Sequence, residues 1–190
     1  MRKVILAVLA LLFAGSQADL LSQSATPPKE ATDVTKAEIE AVLNHGGTRG
    51  GDRQIKVVDL GKYNVGVGVL YRGATKEKPG APVTGIAHTQ VTEVYYIISG
   101  SGTLVTGGTI VGAKPLSPDS EVVKVAVGPS LNGTFQGGQR RKVSAGDVVI
   151  IPPGVLHGWT EIEDHVTYLS VRPDADHVLP AGYVHPAVKK

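Results

Sequence analysis

The feature that most constrains this chain is a strict two-residue rhythm. Val65, Val67, Val69 and Tyr71 recur at period two, directly after the apolar set Ile55, Val57, Val58 and Leu60. Side chains of a strand alternate between its two faces, so this rhythm fits a strand with one face buried and does not fit a helix. Further β-rich stretches run over 84–91, 93–98, 103–106, 121–127, 148–151 and 165–171, separated by glycines and prolines. Many short strands with a single early helix predict an all-β barrel or sandwich. No fixed-period repeat and no low-complexity tract interrupts them.

The first 18 residues belong to a different regime. Arg2 and Lys3 precede an apolar run from Val4 to Ala14, and Ser16-Gln17-Ala18 is a small-x-small cleavage site before Asp19. The run is short for a bilayer span, and no cysteine follows it to carry a lipid. The expectation is a signal peptide, a mature start at Asp19 and a secreted or periplasmic protein with no membrane anchor. The full chain has 19 Lys+Arg against 17 Asp+Glu, and discarding Arg2 and Lys3 leaves 17 against 17. A neutral mature chain gives no electrostatic basis for nucleic acid as a partner. The chain contains no cysteine, so disulfides contribute nothing and its core must stabilise it. Residues 19–52 form an N-terminal extension. In it Thr35-Lys36-Ala37-Glu38 reads as a capping box, followed by the apolar stripe Ile39, Val42 and Leu43 and a stop at Gly46. Residues 53–173 form the barrel and 174–190 a polar tail.

Two stretches carry most of the chemistry. The first is Gly80-x5-Ile86-Ala87-His88-x4-Glu93-x6-Gly100; the second is Gly146-x5-Pro152-Pro153-Gly154-x2-His157-x3-Glu161. Two imidazoles and one carboxylate suit a divalent transition metal such as Fe, Mn, Zn or Ni. Period-two alternation puts Ile86 and His88 on one face, Glu93, Tyr95 and Ile97 on another, and His157, Trp159 and Glu161 on a third. If His88, Glu93 and His157 line the interior, then Ile86, Tyr95, Trp159 and Glu161 line it too, as the walls of a small-molecule pocket. Gln90, assigned to the His88 face, is a weaker oxygen ligand. An inward histidine can also be a hydrogen-bonded core residue; in that case protonated His88 and His157 would balance the buried Glu93.

These stretches resemble the paired motifs of the cupin superfamily, G-x5-H-x-H-x3,4-E-x6-G and G-x5-P-x-G-x2-H-x3-N. Ile86 stands in place of the first histidine, and Glu161 in place of the final asparagine. The resemblance implies a double-stranded β-helix, or jelly-roll barrel, with His88, Glu93 and His157 as metal ligands. It extends over residues 53–172. Cupins include dioxygenases, sugar isomerases, epimerases and decarboxylases, so the fold does not select a reaction.

Two functional classes follow. One is a metal-dependent dioxygenase or isomerase acting on a small organic substrate, with Glu161 as general base. The other is a non-catalytic binder of a sugar or phenolic compound, in which Tyr95 and Trp159 stack on a ring. The long interval from Gly100 to Gly146 is expected to hold loops and a hairpin, either shaping the pocket or forming a homodimer contact. His45, His165, His177 and His185 are expected at the surface, and Arg140-Arg141-Lys142 in a solvated turn.

Overall fold

The computed structural model describes residues 27–76 and 80–189. The leader therefore lies outside the described residues. Helix α1 spans Lys36–Leu43 and begins with the expected box: the Glu38 N–H donates to Thr35 Oγ1 at 3.2 Å, and the Thr35 N–H donates to Glu38 Oε2 at 2.9 Å. Two otherwise orphaned donors are thereby satisfied. At the other end the Arg53 guanidinium donates to the carbonyls of Val42, Leu43, His45 and Thr48. The helix presses Val42 and Leu43 onto Ile55 and Val69, covering part of the outer barrel wall.

Among the described residues ten strands follow, all paired antiparallel: β1 (Gly51–Asp59), β2 (Asn64–Gly73), β3 (Thr84–His88), β4 (Glu93–Thr106), β5 (Thr109–Pro115), β6 (Ser130–Gln136), β7 (Gln139–Ser144), β8 (Val148–Ile151), β9 (His157–Thr160) and β10 (His165–Asp174). Their order is β1-β2-β10-β4-β9-β3-β6-β5, with β7 and β8 also on β4. Strand β4 belongs to both faces of the barrel. Its first half pairs with β10 and β8, and its second half with β7 and β9. The change of sheet falls at Ser99-Gly100-Ser101-Gly102. Gly100 has φ 74°, and a Cβ there would lie 1.9 Å from the His165 carbonyl oxygen, so only glycine fits the corner. The alternation of β4 buries Glu93, Tyr95 and Ile97 as expected, around a core that includes Leu70, Leu104, Ile151, Val166 and Tyr168. This is the expected all-β jelly-roll barrel with a short N-terminal helix.

Several expectations are corrected. The segment expected as a strand at 121–127 is a wide helical turn over Val122–Val127. Its valines suggest β structure, but the buried residues are Val123, Ala126 and Val127, a helical spacing. The stretch expected at 84–91 stops being a strand at His88. Arg140, Arg141 and Lys142 lie on strand β7 rather than in a turn. The C-terminal tail is not a loose polar segment: the Val57 N–H donates to the Tyr183 carbonyl, the His185 N–H to the Ile55 carbonyl, and Leu179 is buried. His185 is buried with it, edge-on to His45 at 5.0 Å. His165 opens β10, stacked on Tyr71. The interval from Gly100 to Gly146 holds the second half of β4, the β5–β6 pair, the helical turn and β7.

Candidate metal centre

Three strands bring the predicted ligands together. His88 closes β3, Glu93 opens β4 and His157 opens β9, with Ile86 and His157 paired across β3 and β9. All three side chains are buried, and one donor atom from each lies within 4.8 Å of the others. Glu93 Oε2 is 3.2 Å from His88 Nε2 and 3.1 Å from His157 Nε2. Among the described residues no other group of three His, Cys, Asp or Glu side chains converges in this way.

The outer partners of the two rings fix their tautomers. His157 Nδ1 lies 2.9 Å from the Val155 carbonyl, which can only accept, so Nδ1 carries the proton. Ser130 Oγ donates to the Gly128 carbonyl at 2.9 Å. Its single proton is thus committed, and at 2.8 Å from His88 Nδ1 it accepts from that ring. In the neutral state both imidazoles turn an Nε2 lone pair toward the same carboxylate oxygen. Lone pairs and a carboxylate at 3.1–3.2 Å repel unless a positive charge lies between them. A metal ion or added protons can supply it. Burial pushes His88 below its ordinary value even against the pull of Glu93, which disfavours the proton on that ring. With bonds of about 2.0–2.2 Å, ligands to one ion lie about 3.0–3.4 Å apart. The observed separations therefore suit a metal.

Glu93 is held from behind. Its Oε1 accepts from Ser170 Oγ at 2.7 Å and Arg172 Nε at 3.1 Å, and its Oε2 from Tyr95 Oη at 2.8 Å. Burial alone would raise its carboxyl. The positive charge that bridges it to His157 and His88, together with the Arg172 guanidinium, outweighs that and holds it well below the ordinary range. Burial, with the neighbouring Glu93 charge, lifts the Tyr95 phenol well above its ordinary value, so Tyr95 stays a donor. Arg172 is fully buried, and it also donates to Gln54 Oε1 at 2.6 Å and to Asp52. Sequence inspection missed Ser130, Ser170, Arg172 and Asp52. The one available signal was a charged arginine at an inward position of β10.

Beside the cage, a cavity of about 560 Å³ reaches His157, with Ile86 and Trp159 in its wall. Tyr95 is not a wall residue of this cavity; its ring packs tilted by 48° against that of Tyr168, centroids 4.4 Å apart, and its hydroxyl bonds Glu93. Two expected site residues lie elsewhere. Gln90 falls beyond the end of β3 and donates to Asp176 at the surface. Glu161 does not continue the inward alternation of β9. The strand ends at Thr160, Glu161 takes φ 51°, and its exposed carboxylate accepts from Thr103 Oγ1 at 2.7 Å and Arg140 at 3.1 Å. It sits outside the barrel, and the Thr103 and Arg140 contacts lower its carboxyl rather than raise it.

No protein-family model matches this chain, and no curated protein does. Solved structures do. A protein from Bacillus halodurans is 15% identical over 84% of this chain and 92% of its own, with a TM-score of 0.45. A Klebsiella pneumoniae protein with a double-stranded β-helix domain is 17% identical over 77% and 93%, TM-score 0.42. A cupin protein from Bacteroides fragilis is 20% identical over 63% and 72%, TM-score 0.34. The strand path, the glycine corner in β4 and the convergence of both motifs on one interior point give this chain a double-stranded β-helix.

Proposed function

We propose that this protein is a metal-dependent cupin acting on a small organic molecule, with His88, Glu93 and His157 holding one divalent transition metal. The observation that carries this reading is the tautomer lock, which aims two Nε2 lone pairs at one carboxylate oxygen. A bound metal would supply Lewis acidity or an oxygen-binding centre. The chain's own residues orient the ligands, exclude water from Glu93 and leave the Ile86 side apolar where a further histidine would otherwise crowd the ion. A dioxygenase or isomerase is the enzymatic form of this reading. With Glu161 turned outward, no carboxylate base lines the cavity among the described residues, and this favours a second form, a non-catalytic binder built on the same site. Elemental analysis of untagged protein tests the cage: about one equivalent of metal is expected, lost in His157→Ala and kept in His177→Ala. Metal-free protein that cannot be loaded would remove the reading. Turnover of a substrate by the loaded protein would then separate enzyme from binder. We also propose export, supported by residues 1–18 alone, and intact mass of the recovered protein should place its start at Asp19.

A further inference from the structure

The cavity beside His157 has an unusual charge inventory. Among the described residues twelve line it; two of these are cationic, Arg72 and Lys76, and none is acidic. Arg72 is positioned from within the barrel, where its Nε donates to Tyr168 Oη at 2.9 Å. The same phenol oxygen accepts the Trp159 indole N–H at 3.2 Å. One buried tyrosine thus fixes both a guanidinium and an indole at the cavity wall. The two terminal nitrogens of Arg72 have no hydrogen-bond partner among the described residues, and neither does the Lys76 ammonium. The two carboxylates inside the barrel, Asp52 and Glu93, are both engaged by Arg172, and Glu93 also accepts from Ser170 and Tyr95. Beside the cations the lining includes the apolar side chains of Ile86 and Ile162 and the Trp159 indole, which shares Tyr168 Oη with Arg72.

From this arrangement we infer that the cavity recognises an organic carboxylate. Arg72 grips the carboxylate through its free fork, the geometry in which guanidinium and carboxylate form two parallel bonds. Lys76 adds a second positive charge, and the apolar or aromatic body packs between Ile86 and Trp159. A volume of about 560 Å³ holds a body of benzoate size or somewhat larger, more than an inorganic anion would fill. The inference names the substrate class for the proposed metal site, so it rests on the reading of cage and cavity as one centre.

Trp159 is the single tryptophan of the chain, so its emission reports this cavity without labelling. The full-length mature protein is titrated with benzoate and with benzamide, exciting at the red edge, once after chelation with EDTA and once after loading with Mn²⁺. Benzoate should change Trp159 emission saturably in both states, and benzamide should bind at least tenfold more weakly. Arg72→Gln should weaken benzoate at least tenfold with unchanged metal content, and Lys76→Gln, whose ammonium no described neighbour holds in place, should weaken it two- to fivefold. Equal binding of benzoate and benzamide, no binding of either, or wild-type benzoate affinity in both variants would overturn the inference. Phenyl phosphate binding more than tenfold tighter than benzoate would overturn the carboxylate assignment in favour of a phosphate ester. The two readings fail separately. A protein that takes no metal but binds benzoate through Arg72 loses the cage and keeps the carboxylate site. A protein that loads Mn²⁺ and ignores benzoate does the reverse.

Discussion

Inside the barrel two carboxylates, Asp52 and Glu93, share the guanidinium of Arg172. Glu93 gives one oxygen to that pair and turns the other to the histidines. Removing the cation would leave two acids in a low-dielectric interior, which costs about 3–5 kcal/mol for a broken buried pair. Arg172→Met should therefore lower the urea midpoint by a corresponding amount; a loss below about 1 kcal/mol would mean that Asp52 and Glu93 find other partners. Ser130 acts at one remove from the cage. Ser130→Ala frees the His88 ring to adopt the other tautomer, and metal affinity should fall about ten- to a hundredfold with the far-ultraviolet circular dichroism unchanged. Competition against a chromogenic chelator measures it. Glu161→Gln should alter neither metal content nor benzoate binding, because its carboxylate meets only Thr103 and Arg140 on the outside.

Among the elements, strand β4 depends on its corner. Gly100→Ala must place a methyl group against the His165 carbonyl in a left-handed backbone conformation, so little soluble protein is expected; a variant melting within a few degrees of wild type would refute the steric reading. Helix α1 offers a gentler test. The Lys56 ammonium, 2.8 Å from Glu38, and the Thr35 N–H hold the Glu38 carboxyl below its ordinary value of 4.5. Its contribution to stability is therefore complete above pH 4.5 and fades as pH falls through the lower folded value. Glu38→Gln should flatten the acid limb of stability against pH in that window. Helix α1 was legible because a capping box uses neighbours in sequence, and the cage because glycine-punctuated strands fix which residues face inward. Glu161 was not legible, because alternation carries no notice of where a strand ends, and a positive φ one residue past Thr160 turns the side chain about. The partners of Glu93 escaped notice for another reason: Ser170 and Arg172 lie 77 and 79 residues away, joined only by the closure of the barrel.

For the molecule as a whole, the cage stands on bonds that do not involve an ion: Ser130 and Val155 hold the rings, and Ser170, Arg172 and Tyr95 hold the carboxylate. Metal should add stability only by mass action, about 2.7 kcal/mol at a hundred times Kd, and EDTA should return the protein to a folded apo state whose circular dichroism spectrum overlays the loaded one. Unfolding on chelation would show that the ion is structural. The same architecture also imposes an order in time. Every strand that pairs with β4 comes later in the chain: β7, β8, β9 and β10. During synthesis Val94-Tyr95-Tyr96-Ile97-Ile98 emerges with none of its partners made; the first, β8, begins at Val148, and β10 is complete only past Val171. Apolar strands left waiting are where nascent chains stick to one another. The Ser99-Gly100-Ser101-Gly102 break that turns the barrel corner also cuts this stretch short, so the residues that shape the finished protein protect the unfinished one.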